Sequence, residues 1–292
     1  MKVAVIILNY NSSADCRKCI VFLKQQVNVD QEIVVVDNCS RYEDRIAVED
    51  LCKEQECTFI ANHENKGYSA GNNVGLRYAA EKGYEYALIA NPDMEFPEED
   101  YLEKMIFTME GDSSIAVCGS DIRTPEGLRQ NPLLPDNGWR ESFKWIKDSI
   151  WGNKKNGIYN FIEREASSHY CSKVSGCCLM VNMGFIREIE YFDESPFLYC
   201  EEAILSKQIE QSNKWHMYYE SGVQAIHRHI KSEKGNPVDR YIQWLKSRLY
   251  YINTYSSDNW LGRLLEKLSV RLQVCSYVLK QHLFFKRYKV IQ

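Results

Sequence analysis

The sequence predicts an α/β protein with a single, mostly parallel central sheet flanked by helices, and three observations predict it. Short apolar runs rich in Val and Ile alternate with longer amphipathic stretches through the first third of the chain. Two of those runs, IVVVDN and ALIANPD, end in carboxylates, Asp37 and Asp93, where a buried strand meets solvent. The strand and helix signals come in turn, the order that produces parallel strands joined by crossover helices.

The elements follow in order. Strands are expected at 3–8, 32–36, 57–60 and 85–90, with helices near 13–25, 43–55 and 70–82 between them. Pro97 followed by EEDYLEKMIFTM opens another helix with acidic first-turn residues, and IAVCGS supplies a further strand. Residues 123–168 break the rhythm with Gly, Pro, Asn and three tryptophans, Trp139, Trp145 and Trp151. Such a stretch is an insertion or lid, or else a satellite hydrophobic cluster. KVSGCCLMV then reads as a strand, MGFIREI as a short helix, and FDESPFLYCEEAILSKQI as a loop feeding an acidic-start helix; WHMYYE and GVQAIH read as two late strands. The C-terminal WLGRLLEKLSVRLQVCSYVLKQHLFFKRYK has the pattern of an amphipathic helix or helix pair.

Composition limits the function classes. The chain of 292 residues has a formal charge of −4, which argues against broad nucleic-acid binding. Residues 245–292 carry 9 Lys and Arg against 2 Asp and Glu, a net +7, while the preceding body has 27 against 38, a net −11. That basic tail predicts contact with an anionic membrane surface, or a solvated basic face on a packed helix. No apolar run approaches the ~20 residues that span a bilayer. Eleven scattered cysteines with no preceding secretory segment read as free thiols of a cytoplasmic protein, and CSKVSGCC lacks the distal Cys or His pair of a structural zinc site.

Candidate chemistry gathers at strand ends. Asp37 and Asn38 sit where a base or ribose is hydrogen-bonded, although Asp37 also suits a turn or helix cap. Gly67 and Gly71 in NKGYSAGNNVGL offer close backbone approach and exposed amides to a diphosphate. Asp93 can hold Mg²⁺ or Mn²⁺ against phosphate, with Asn91 orienting the loop. Glu201 and Glu202 begin a helix and point in different directions, so one can act as general base. His227 and His229 flank Arg228, and either histidine can join the cation shell, with Arg228, Lys231 or Lys234 adding positive potential.

The ordered set VIILNYNS, VVVDNCS, NKGYSAGNNVGL, LIANPDM, SGCCLMV, FLYCEEAILSKQI and IHRHIKS, spanning about residues 3–232, resembles the family 2 inverting glycosyltransferases of GT-A fold, the rhamnosyltransferase-like branch in particular. The resemblance implies a GT-A domain over 1–240, its nucleotide part near 1–120 and its acceptor part near 121–240, followed by a helical tail over 241–292. It places Asn9, Tyr10 and Asp37 at the donor's base, Gly67 and Asn72 in the nucleotide loop, and Asp93 on a Mg²⁺ or Mn²⁺ ion. Asn91 stands where the family's first metal carboxylate usually stands. Glu202 takes the place of the acceptor base, Glu201 that of a supporting acceptor contact, His227 that of the late metal histidine, and His229 is a reserve ligand.

The implied function is transfer of a sugar, rhamnose or another hexose, from a nucleotide-diphosphate sugar to a saccharide or lipid-linked saccharide in capsule or O-antigen synthesis. The expected partners are that donor, that acceptor and the inner membrane face, with no nucleic acid. Two other readings stay open: a sugar-nucleotide nucleotidyltransferase, which lacks an obvious Gly-rich basic N-terminal loop here, and a noncatalytic carbohydrate-binding protein on the same fold.

Overall fold

The computed structural model describes residues 2–146, 162–163, 166–228 and 236–289, with side chains described as far as 281. Trp151, His229, Lys231 and Lys234 lie outside the described residues.

The first half follows the expected alternation closely: β1 (Lys2–Asn9), α1 (Ser13–Lys24), β2 (Asp30–Asp37), α2 (Tyr42–Glu54), β3 (Thr58–Ala61), α3 (Tyr68–Glu81) and β4 (Tyr86–Ala90). β1 pairs in parallel with β2 and β4, and β2 with β3. Odd-numbered Val3, Val5 and Ile7 fill the core on one face of the sheet, and Ala4 and Ile6 fill the core on the other. Burial on both faces explains why these strands read as unbroken apolar runs. Gly71 and Gly75 let α3 lie close on the sheet, because a Cβ at either would fall 2.5 Å from Leu8 or Ile6 side-chain carbons. Gly71 therefore serves packing, and its amide bonds to the Gly67 carbonyl inside the helix rather than facing a diphosphate.

The second half weaves into the same sheet: β5 (Met94–Glu95), α4 (Tyr101–Gly111), β6 (Ile115–Arg123), α5 (Trp139–Ser142), β7 (His169–Cys171), β8 (Cys178–Asn182), α6 (Met183–Glu188), α7 (Glu201–Ser212) and β9 (His216–His227). The strand order is β3-β2-β1-β4-β8-β6-β9-β5, with β7 on β9. β8 is antiparallel to both β4 and β6. α4 starts at Tyr101, four residues beyond the expected Pro97, because Phe96 is buried and the chain first completes the β5 turn. The two expected late strands are one long strand, β9, whose register slips against β6 between Ser120 and Asp121; an irregularity there absorbs the polar SG step.

The C-terminal extension is α8 (Pro237–Thr254) and α9 (Trp260–Lys289). Asn236 caps α8 through the Val238 amide at 2.9 Å, and Pro237 occupies its first turn. Tyr251, Ile252 and Val270 pack on Ala203 and Ile204 of α7, so the extension is seated on the helix that carries Glu201 and Glu202. Arg248 reaches Asp136 at 3.1 Å and the fully buried Glu266 at 2.6 Å. Trp139 and Trp145 are tied to the C-terminal extension: the Trp139 amide donates to Asp258, and Trp145 Nε1 donates to Ser269 Oγ at 3.0 Å.

Candidate active site

The C-terminal ends of β1 and β2 meet in a hydrogen-bonded knot. Asn9 Nδ2 donates to Asp37 Oδ1 and Asp44 Oδ2, each at 2.9 Å, and to Ser40 Oγ at 3.1 Å. Asp37 Oδ2 accepts from the Ser40 amide at 3.1 Å, so both its oxygens are engaged and its side chain is fully buried. These contacts shape the rim, and Tyr10, 53% exposed, stands beside it with room to cover a planar base. Asn38 is an internal brace: its side chain bonds Asn62, Asn65 and the Gly67 carbonyl.

That brace positions the entry to α3. Gly67 adopts φ +102°, and a Cβ there would fall 2.1 Å from the Phe197 carbonyl oxygen. Tyr68 N donates to the same oxygen at 2.9 Å. The glycine is needed for both its left-handed backbone and this close approach. Asn72 is buried in the first turns of α3, with Nδ2 donating to Tyr68 O at 3.1 Å.

Asp93 and His227 come together because β5 pairs with the end of β9, register Met94 to His227, and Arg228 N donates to the Asp93 carbonyl at 2.9 Å. His227 Nε2 lies 3.3 Å from Asp93 Oδ2, and Nδ1 bonds Gln130 Oε1 at 2.9 Å. Burial disfavours the imidazolium, but the Cys177 sulfur and the Asp93 carboxylate outweigh it and push its pKa up to about 10. Arg228 does not add free positive potential as expected, since it is paired with Glu95 at 2.6 and 3.0 Å.

Among the described residues no group of three His, Cys, Asp or Glu converges as a ready-made metal cage. The metal-free imidazole carries a proton toward Asp93; on losing it, Nε2 and the carboxylate oxygen at 3.3 Å would fit Mn²⁺ or Mg²⁺, with phosphate oxygens and water supplying the other positions. Asn91 contributes through its backbone: its amide donates to Cys177 O at 2.8 Å, and its carbonyl accepts from Met94 N at 3.2 Å.

Glu201 and Glu202 enter α7 through two consecutive left-handed residues, Tyr199 (φ 76°) and Cys200 (φ 69°). Such backbone costs of order 1–3 kcal/mol per residue and persists where surrounding structure fixes it. Here the Tyr199 amide donates to Glu201 Oε1 at 2.7 Å. The Gly176 amide donates to Glu202 Oε1 at 3.1 Å. The two carboxylates line one cleft with Tyr68, Ser69, Gly176 and Asp193. Burial and then the charge of Glu202 push the Glu201 pKa up to about 8, which favours its neutral form.

The turn before β8 joins the two ends of the site. Gly176 meets Glu202 and accepts from the Tyr68 hydroxyl, while Cys177 meets Asn91 and His227. Three contributors had no sequence signal of their own: Gln130, which orients His227; Tyr68, which ties α3 to Gly176; and Asp44, which completes the Asn9 knot. Gln130 lies in the irregular stretch, where no periodicity marks a position.

Comparison with known proteins bears on the fold and the family. The chain is 28% identical over 200 residues to the low-salt glycan biosynthesis hexosyltransferase Agl10 of Haloferax volcanii, covering 68% of this chain and 58% of that protein. It is 22% identical over 201 residues to the N-acetylglucosaminyl-diphospho-decaprenol L-rhamnosyltransferase of Mycobacterium tuberculosis, covering 67% and 64%. It thus spans less than two thirds of these relatives' length. The structure superposes on the mannosyltransferase PcManGT of Pyrobaculum calidifontis, solved with GDP-Man and Mn²⁺, with a TM-score of 0.59 at 14% identity, over 93% of this chain and 68% of that one. This likeness establishes the GT-A fold. The sequence model for "Glycosyl transferase family 2" matches residues 4–189, well over half of the chain, and the chain belongs to that family.

Proposed function

We propose that this protein is an inverting glycosyltransferase that moves a hexose, rhamnose being one candidate, from a nucleoside diphosphate sugar to a saccharide hydroxyl in cell-surface polysaccharide synthesis. The observation that carries the reading is the turn Gly176–Cys177, which seats a carboxylate base on one side and the Asp93–His227 pair on the other. An acceptor hydroxyl and a diphosphate leaving group need such groups at opposite ends of one site.

In the proposed reaction the acceptor oxygen attacks the donor's anomeric carbon. The bond from that carbon to the β-phosphate oxygen breaks, its electron pair leaves with the nucleoside diphosphate, and the hydroxyl proton passes to Glu202. One displacement from the far side inverts the anomeric centre. Burial and the neighbouring carboxylate raise the Glu201 pKa, so Glu201 favours its neutral form beside Glu202. Asn9, Asp37 and Tyr10 form the rim for the base, and Gly67 and Asn72 form the wall beside the diphosphate. Asp93 and His227 would hold Mg²⁺ or Mn²⁺, which supplies charge neutralisation to the departing diphosphate when bound.

A lipid-linked acceptor is supported by α9. Leu261, Leu264, Leu268, Leu272 and Leu279 are exposed along it, beside Arg271 and Lys280. Among the described residues no helix is long and apolar enough to cross a membrane, so this stripe suits lying on an anionic surface.

The test is release of nucleoside diphosphate from a panel of nucleotide sugars, with and without Mg²⁺ or Mn²⁺ and a saccharide-lipid extract. Selective release stimulated by the extract is expected and identifies the donor. Consumption of added inorganic pyrophosphate, with formation of nucleoside triphosphate and sugar 1-phosphate in place of nucleoside diphosphate, would overturn the reading in favour of a nucleotidyltransferase.

A further inference from the structure

We infer that an aromatic pocket between the start of α8 and the middle of α9 is the subsite for an anionic glycoside on the acceptor side. The inference rests on the transferase reading for the word acceptor, and on the pocket alone for the ligand class. The cavity, about 280 Å³, is lined by Tyr199, Arg240, Tyr241, Trp244, Gln273 and Tyr277. It lies outside residues 4–189 that match the family, and α8 and α9 build nearly all of it.

Its location points to the reaction. Tyr199, one wall, is held in its left-handed conformation by the bond from its amide to Glu201 Oε1 at 2.7 Å. One wall of the pocket is therefore hydrogen-bonded through its backbone to the carboxylate pair. The volume lies at the lower edge of the range of small-molecule sites, the size of a single sugar unit rather than a long chain.

Its chemistry points to a sugar ring with a negative charge. Tyr241 and Tyr277 stack with centroids 3.9 Å apart and planes 10° from parallel, and Trp244 stands edge-on to Tyr241 at 6.2 Å. These half-buried rings offer flat apolar surface of the kind that covers the C–H face of a pyranose, while the tyrosine hydroxyls and Gln273 can bond its polar edge. Arg240 adds a guanidinium fork, which matches phosphate or carboxylate. Its charge already reaches Tyr199 across the cavity. A neutral sugar can accept hydrogen bonds from that group but leaves its charge unmatched. A phosphate at the anomeric position or a uronic carboxylate matches it.

The test uses the full chain and saturation-transfer NMR with three probes: glucose 1-phosphate, methyl glucuronide and neutral methyl glucoside. At least one anionic probe should bind about tenfold more tightly than the neutral one, the worth of one charged hydrogen-bonded contact. Preference for the phosphate identifies a carrier-linked acceptor, and preference for the carboxylate identifies an acidic glycan. Arg240→Gln should remove the preference, and Trp244→Leu should weaken all three probes. Equal binding of the three probes, or unchanged binding in Arg240→Gln, overturns the inference; that variant lies near the helix start and keeps the test valid if Trp244→Leu misfolds. Nucleoside diphosphate binding is measured in the same samples. Probe binding without it removes the transferase reading and leaves the pocket, whereas the reverse removes the pocket alone.

Discussion

The Gly176 amide donates to Glu202 Oε1 at 3.1 Å, and a Cβ at 176 would fall 3.1 Å from that same oxygen. The proposed base is thus seated on a residue with no side chain, at the turn that also meets Asn91 and His227. Its orientation depends on the backbone of the turn before β8 rather than on its own helix.

Replacing Glu202 with Gln keeps an oxygen to accept from Gly176 and removes the proton acceptor. Transfer should fall by roughly 10²- to 10⁴-fold, with nucleoside diphosphate affinity unchanged. Steady-state kinetics beside calorimetric titration checks this, and equal loss of binding would reassign the residue.

Stability should fall as pH rises from about 4.5 to 8. Glu201 has a folded pKa of about 8 against an ordinary 4.5, so the folded chain keeps a proton that the unfolded chain has lost. The contribution is complete below 4.5 and is lost as pH rises through 8. Urea titrations of wild type and Glu201→Gln across that window should differ most at the alkaline end.

Much of this was legible in the sequence, for a physical reason. Strands buried on both faces must be apolar throughout, so β1, β2 and β4 declare themselves and deliver Asn9, Asp37 and Asp93 to one edge. The antiparallel entry of β8 between β4 and β6 left no comparable mark, since a buried strand reads alike in either direction. The Asp93–His227 contact depends on the two-residue strand β5, too short for any periodicity to show. Asn38 misled because an amide at a strand end serves a ligand or a neighbouring loop equally well, and here it serves the loop.

Gly67→Ala should destabilise the fold by about 2 kcal/mol or more, since it combines left-handed backbone with a Cβ 2.1 Å from Phe197 O. Chemical denaturation measures the loss, and nucleotide affinity should fall with it because the α3 entry is displaced.

Arg248→Met should cost about 3–5 kcal/mol, because it strands a fully buried Glu266 and half of the Asp136 pairing. The deficit should narrow near pH 4, where Glu266 can take up a proton; thermal melts at pH 4 and 7.5 give the comparison.

Changing Leu264, Leu268 and Leu272 together to Ser should leave the melting temperature within a few degrees, since all three are exposed. Sedimentation with vesicles rich in anionic lipid should drop severalfold. Unaltered sedimentation would remove the membrane role of α9.

The contact of Gly67 and Tyr68 with Phe197 joins segments that lie far apart along the chain. A chimera that exchanges everything after residue 120 with a relative would inherit one side of that contact without the other. Unless the incoming segment presents its carbonyl in the same place, the loop before α3 loses its seat. Recombination between members of this family should therefore succeed when the pair at 67 and 197 travels together, and donor and acceptor preferences should prove harder to mix than the alternating architecture alone suggests.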